Sequence, residues 1–372
     1  MSKKGENIYR RKDGRWEARC KKGVTAEGRI LYLYCYGKTY REAKEKLELR
    51  KKQIYTGQQS RPSSPSRSLG AYCDEWLFHN RGRRKESTAA KYTLVIEKHI
   101  KLFFGGYCPD YLTTKDVDAF TAELTEVKGL SPKTVRDILV ILRAVLAYAS
   151  RFVDSAKKIE VSLPRGSSKE MRILSFEEQK RFAEYLATDM DACKFGILFA
   201  LMTGLRIGEV CALKISDISL ENSTVTVRKT MQRIKNLSEG GPKTKIVFSS
   251  PKSDSSARVI PLTNAAAALC RERVEGVNPR SFLLTGSEVR FIEPRVLQYR
   301  IKKYSRECGI EDLHFHVLRH TFATRCVEVG FEIKSLSEIL GHSTPRITLE
   351  RYVHSSLEFK RQNMAKLESM GM

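Results

Sequence analysis

Several features are scarce or missing in this chain, and each absence excludes something. The longest apolar run is Phe195–Met202 (FGILFALM), far short of the roughly 20 residues that a bilayer-spanning helix needs. The opening MSKKGENIYRR is charged and has no apolar segment behind it, so no secretory signal is expected. The nine cysteines contain no C-x-x-C pair, and nine is odd. That pattern argues against a disulfide framework and for free thiols in a reducing cytoplasm. Acidic residues are few: 43 Asp and Glu stand against 67 Lys and Arg, a net charge of +24. A field of that size calls for a polyanionic partner. Nucleic acid fits, whereas an anionic membrane surface has no basic amphipathic anchor to meet it. Histidine is scarce too, yet three of the seven fall within His314–His320. A metal site, a core that happens to hold histidine, and an apparatus for holding an anion and moving protons all compete to explain that cluster.

The 372 residues suggest two or three domains, and a 41% hydrophobic content supplies their cores. Residues 1–60 carry 17 Lys and Arg against 7 Asp and Glu. NIYRRKDGRWEARCKK alternates around a Lys12-Asp13-Gly14 turn, a hairpin signal. RILYLYCYG adds a third strand, and TYREAKEKLELRKKQ reads as a helix. The basic face of such a sheet suits a DNA groove. RPSSPSRS at 61–68 is a Pro/Ser linker. Ser68 then caps a helix with Leu69, Tyr72, Cys73 and Trp76 on its apolar side. Ser131-Pro132 starts another, striped by Val135, Ile138, Leu139, Leu142, Leu146 and Ala149. Residues 69–163 therefore read as a helical bundle, followed by a linker at 164–172. From Ile173 a third unit begins, with a Ser175/Glu178 capping box. It continues through a buried helix near 190–202 and strands in STVTVRKTMQRI, TKIVFSS and SSARVIPL, and is mostly helical past Ala265.

The chemistry lies in separated stretches of this third unit. In TGLRIGEVCAL, Arg206 and Glu209 share a helix face at i, i+3. In SPKSDSSARVIPL, Lys252 sits in a turn between strands. In HVLRHTFAT, His316 and Arg319 are again i, i+3 on a helix that ends at Gly330. In LGHSTPRITLERYVH, His342 follows the helix-ending Gly341, and Tyr352 comes ten residues later. Each of these residues taken singly reads as a surface ion pair, a solvated lysine or a packing aromatic. Together, in this order, they are the parts for cutting a phosphodiester without a metal. Two guanidiniums grip the non-bridging oxygens bidentately. They stabilise the charge that grows at phosphorus, each such donor contributing roughly 10²–10³ in rate. A tyrosine hydroxyl needs a base and an electropositive site to attack, and the leaving oxygen needs an acid.

These motifs, with RYVH closing the set, resemble the tyrosine recombinase (phage integrase) family over about residues 5–365. The layout is similar to integrases of temperate phages and conjugative transposons. The resemblance implies a multidomain, mainly α protein with small β-sheets. An arm-type DNA-binding domain (1–60, three-stranded sheet plus helix) precedes the 61–68 linker and a helical, SAM-like core-binding domain (69–163). After the 164–172 linker comes an α+β catalytic domain with a C-terminal tail (173–372). It implies a site-specific recombinase of a mobile element, cleaving and rejoining DNA through a 3′-phosphotyrosyl link without cofactor or metal. Arg206 and Arg319 would clamp the scissile phosphate, and Lys252 would be the general acid. His316 would accept the tyrosine proton, His342 would hydrogen-bond a phosphate oxygen, Tyr352 would be the nucleophile, and Glu209 would orient its neighbours. His320 would pack or hydrogen-bond behind them, and His314 would either support these groups from behind or be incidental. The implied partners are double-stranded DNA at core and arm sites, three further protomers on two duplexes, and accessory directionality and DNA-bending proteins. The expected location is cytoplasmic, with the nucleoid.

Lys229–Ser249 is longer than a minimal hairpin and looks like the β-insertion of transposon-type members, which makes Lys243 and Lys245 alternatives to Lys252. The tail SSLEFKRQNMAKLESM, amphipathic through Leu357, Phe359, Met364 and Leu367, suits docking on a neighbouring protomer. Three rival functions stand beside this one. A zinc hydrolase would use His316 and His320 as an i, i+4 pair, but Val317 occupies the position where H-E-x-x-H needs Glu. A non-catalytic DNA-binding regulator on the same fold has no use for the full residue set. A type IB topoisomerase-like enzyme would share the chemistry without strand exchange.

Overall fold

The computed structural model describes residues 7–11, 14–24, 30–55, 67–153, 159–164, 171–238, 240–249 and 257–352. Lys12, Asp13, Lys252, most of both linkers and the tail lie outside the described residues. In chain order the elements begin with β1 (Ile8–Arg10), β2 (Trp16–Val24), β3 (Ile30–Gly37), α1 (Tyr40–Tyr55), α2 (Leu69–Arg81) and α3 (Glu86–Val95). Next come α4 (Lys101–Phe104), α5 (Thr114–Ala122), α6 (Pro132–Ala149), α7 (Phe176–Ala187), α8 (Ala192–Thr203) and α9 (Ile207–Ala212). Five strands follow: β4 (Ile218–Ser219), β5 (Thr224–Val227), β6 (Thr230–Lys235), β7 (Thr244–Ser249) and β8 (Arg258–Pro261). The last elements are α10 (Asn264–Val274), α11 (Pro294–Glu307), α12 (Phe315–Glu328), α13 (Ile333–Leu340) and α14 (Pro345–Tyr352). Contacts divide the chain into two compact units, Met1–Trp76 with Ile96–Pro164, and Leu77–Val95 with Arg165–Met372.

The first unit contains the three-stranded antiparallel sheet, order β1-β2-β3, as the alternation of its strands predicts. Ile8, Ala18 and Cys35 are buried with Ala43 and Leu47 of α1. Tyr9, Tyr32, Tyr34 and Tyr36 stay exposed. The Arg19 guanidinium lies 5.3 Å from the Tyr9 ring and 5.1 Å from the Tyr32 ring, and Arg15 lies 5.7 Å from Tyr36. Arginine over aromatic faces is a cation–π arrangement, so this face presents cations held by rings. The helices of the unit start where the caps predict. Ser68 Oγ accepts the Ala71 N–H at 3.3 Å. Ser131 Oγ accepts the Thr134 N–H at 3.3 Å, with Pro132 in the first turn of α6. Val135, Ile138, Leu139, Leu142 and Ala149 are buried along α6, while Leu146 is only half-buried.

In the second unit the reciprocal Ser175–Glu178 hydrogen bonds open α7. α8 is buried along most of its length and carries Phe195 and Phe199 into the main core. A small antiparallel sheet, order β4-β5-β8, flanks that core. The run STVTVRKTMQRI, expected as one strand, splits. β5 pairs with β8, and β6 pairs only with β7. β5 buries Val225 and Val227 and β6 buries Met231 and Ile234, and Arg228 and Lys229 between them belong to neither strand. The segment Lys229–Ser249, expected to be longer than a minimal hairpin, forms the β6–β7 hairpin. Arg233 ties it to Glu293 at 2.8 and 2.5 Å, and Lys245 pairs with Glu86.

Candidate active site

The site is assembled from segments far apart in the chain, and it starts at the end of α8. Gly204 takes the left-handed conformation, φ 67°, a region that residues with a Cβ rarely enter. A Cβ there would also stand 2.5 Å from the Phe322 ring. The turn places Arg206 at the N-cap of α9. Glu209 reaches back from the first turn and accepts the Arg206 backbone N–H at 2.9 Å and its guanidinium at 2.8 Å.

Glu209 has a second partner that sequence reading missed. Arg258, on β8, donates to both carboxylate oxygens at 3.0 and 2.9 Å. Its Nε also donates to the Ile339 carbonyl at 2.6 Å, which ties β8 to α13. The one signal available was parity: Arg258 is two residues from Ile260, and both face inward. Burial pushes the Glu209 carboxyl upward, but Arg258 and Arg206 outweigh it and hold it down at about 2.

Arg319 comes from α12 and is 1% exposed. It donates to the carbonyls of Gly204 at 2.9 Å and Leu340 at 2.6 Å, and it lies 3.0 Å from His342 Nε2. A guanidinium only donates, so His342 Nε2 accepts and the imidazole proton sits on Nδ1. That nitrogen lies 2.8 Å from the buried Thr348 hydroxyl, which takes the proton's hydrogen bond. Gly341, again left-handed at φ 63°, caps α13, and its carbonyl accepts Arg206 at 3.1 Å. Burial, then Arg319, lowers His342 to about 3.

Tyr352 ends α14 and is buried. Its ring stacks on His342, centroids 6.3 Å apart and planes 4° apart. Its hydroxyl lies 3.0 Å from His320 Nδ1. Burial raises its pKa, against the pull of Arg319 and Arg351. His316 stands on the open side of α12, is solvent-exposed, and makes no side-chain hydrogen bond among the described residues. Its ring meets His320 edge-on at 4.5 Å. His314 is exposed at the N-cap of the same helix.

Arg206, Glu209, Arg319, His342 and Tyr352 thus share one connected cluster, with His316 at its edge through His320. Lys252 falls outside the described residues, just before β8. Of its alternatives, Lys245 is engaged by Glu86, and Lys243 is exposed beside the hairpin strand. No group of three His, Cys, Asp or Glu side chains suited to a metal ion occurs among the described residues. The cluster gathers three guanidiniums around one carboxylate. Such a site lowers its energy by taking an anion, and a planar donor set suits phosphate.

Residues 172–358 match the phage integrase family, and residues 68–124 match the SAM-like N-terminal domain of phage integrases. The chain belongs to the phage integrase family. Among its relatives is a XerC-like tyrosine recombinase of Caldanaerobacter subterraneus subsp. tengcongensis, 28% identical, the match covering 89% of this chain and 90% of the relative. The tyrosine recombinase XerC of Bacillus licheniformis is 31% identical over 68% of this chain and 79% of its own length. In fold the chain is similar to the Tn1549 transposon integrase solved with circular intermediate DNA. That match has 22% identity and TM-score 0.68, and it covers 81% of this chain and all of that one. It is similar also to the lambda integrase tetramer bound to a Holliday junction, with 17% identity, TM-score 0.58, and 93% and 95% covered. This phage integrase family member is a tyrosine-type site-specific DNA recombinase.

Proposed function

We propose that the protein acts as a mobile-element integrase, cleaving and rejoining DNA through a 3′-phosphotyrosyl intermediate on Tyr352. The observation that carries this reading is the gathering of Arg206, Arg319, His342 and Tyr352 from three separated segments into one pocket. Arg206 and Arg319 grip the non-bridging oxygens of the scissile phosphate. Arg319 is fixed by two carbonyls, so its orientation is set before substrate arrives and little reorganisation accompanies charge development. His342 lies against the same phosphate. Tyr352 attacks phosphorus, the bond to the 5′-oxygen breaks, and Lys252 supplies the proton that the leaving oxygen takes. Exchange proceeds in a tetramer on two duplexes, in the cytoplasm and on the nucleoid, with accessory directionality and bending proteins. In this reading an arm-binding domain at 1–60 and a core-binding bundle at 69–163 precede a catalytic domain at 173–372. No helix among the described residues is long and apolar enough to cross a membrane.

A nicked suicide duplex incubated in EDTA tests the chemistry. A covalent protein–DNA adduct should form, and Tyr352→Phe should abolish it while DNA binding persists. An adduct undiminished in that variant assigns the nucleophile elsewhere. Binding with no adduct from the unaltered chain leaves a regulator, and nicking-closing without exchange between two sites leaves a topoisomerase-like enzyme.

A further inference from the structure

We infer that His320, through Nδ1, is the group that takes the proton of the Tyr352 hydroxyl as that oxygen attacks phosphorus. The inference deepens the proposed function and rests on Tyr352 being the nucleophile.

The geometry is direct. His320 Nδ1 lies 3.0 Å from the Tyr352 oxygen, within the reach that general-base transfer needs. His316 is the other histidine of the helix face, but it is exposed and makes no hydrogen bond to the tyrosine among the described residues. With the ring proton on Nε2, Nδ1 is an acceptor and the Tyr352 hydroxyl donates to it. A hydroxyl oxygen that donates its proton to His320 keeps its lone pairs for attack.

His320 is 7% exposed, so bulk water is a poor competitor for that proton. The charged and titratable groups facing it are His316, His314 and Arg319 of α12 and Arg351 of α14. With burial first, they hold the ring neutral, the state a base requires. A phosphate seated on Arg206 and Arg319 brings negative charge beside the ring, and an imidazolium that was disfavoured becomes supported. In the step itself the Oη–H bond breaks and the proton passes to Nδ1. The Oη–P bond forms, the P–O5′ bond breaks, and the 5′-oxygen takes its proton from the general acid. His316, standing in the open, is left to meet the phosphate or the leaving strand.

The test separates proton transfer from packing. In His320→Asn the side-chain Oδ1 stands near the place of Nδ1, so the variant accepts a hydrogen bond without serving as a base. With the full chain and the nicked duplex, it should slow adduct formation tenfold to a thousandfold. Hydrogen peroxide supplied to Tyr352→Phe as an outside nucleophile should cut the same duplex at a rate that adding His320→Asn does not change. If both reactions fall together, His320 only packs the site and the inference is overturned; if neither falls, the proton goes elsewhere and it is equally overturned. Where His320→Asn fails to bind the duplex, 2,3-difluorotyrosine at position 352 of the otherwise native chain replaces it. A more acidic phenol needs less from its base, so the solvent deuterium isotope effect on adduct formation should shrink, and an unchanged effect sinks the inference. An adduct that persists in Tyr352→Phe alone points instead to failure of the nucleophile assignment.

Discussion

Glu209 shows what a single residue contributes here. It is 3% exposed, and its neighbours hold its pKa near 2, against an ordinary 4.5. A depressed carboxyl stabilises the fold above its unfolded pKa, and that contribution disappears as pH falls from about 4.5 towards 2. The shift corresponds to about 3 kcal/mol. Urea unfolding at pH 7 and pH 3 should show Glu209→Gln losing about 2 kcal/mol less than the native chain on acidification; equal losses would mean that the carboxylate is not so held. Lys252 is a second case, read from the order of motifs alone. Lys252→Ala should slow cleavage of ordinary DNA by at least 10², and a 5′-bridging sulfur, which leaves with little protonation, should restore most of the rate. If the sulfur rescues Arg206→Ala and not Lys252→Ala, the acid is another group, with Lys243 the next to test. Residues with a role in the shared motifs were legible. Arg258 was not, because an arginine in a strand reads as a surface charge until its buried partner is known. His320 was legible only as a neighbour of Arg319, since its partner Tyr352 is 32 residues away.

At the scale of elements, the cap chemistry carried the reading. Ser68, Ser131, the Ser175–Glu178 pair, Gly204 and Gly341 each mark a helix end. The π-helical turns at Ile96–Ile100 and Glu123–Val127 carry no local signal of that kind, and the division of STVTVRKTMQRI between two sheets depends on partners distant in sequence. The turn at Gly204 matters most, because its carbonyl holds Arg319 and its conformation places Arg206. Gly204→Ala puts a Cβ into the left-handed region, at about 1–2 kcal/mol for the backbone, and drives it against Phe322. We expect a lowered melting temperature and at least tenfold slower adduct formation, since small misplacements of positioned groups have large effects on rate. A variant with unchanged melting but lost cleavage would show that the cost falls on the arginines alone; unchanged cleavage would show that the turn does not set their positions.

For the whole molecule, composition pointed to a polyanion and motif order to a reaction, but neither specified how the parts divide the work on DNA. The N-terminal sheet gives the clearest test. Residues 1–60 carry a net charge of +10, 17 Lys and Arg against 7 Asp and Glu, and the described face sets Arg15 and Arg19 against exposed tyrosines. Among the described residues, the groups of the cluster around Tyr352 come from Gly204–Tyr352. A Pro/Ser tether at 61–68 lets such a module hold one DNA site while the rest of the chain holds another, so the second contact forms at high effective concentration. Each phosphate it neutralises steepens the fall of log affinity with log salt by about 0.9. Deleting residues 1–65 should therefore leave adduct formation on a short core duplex within about twofold, because the chemistry is assembled elsewhere and each lost contact acts on binding. On long DNA carrying arm sites the truncated chain should bind more weakly, with a flatter salt dependence, and recombination between two sites should fall sharply. Loss of core cleavage in a truncated protein that still melts cooperatively would place the sheet inside the catalytic clamp and overturn its role as a separate DNA-binding arm.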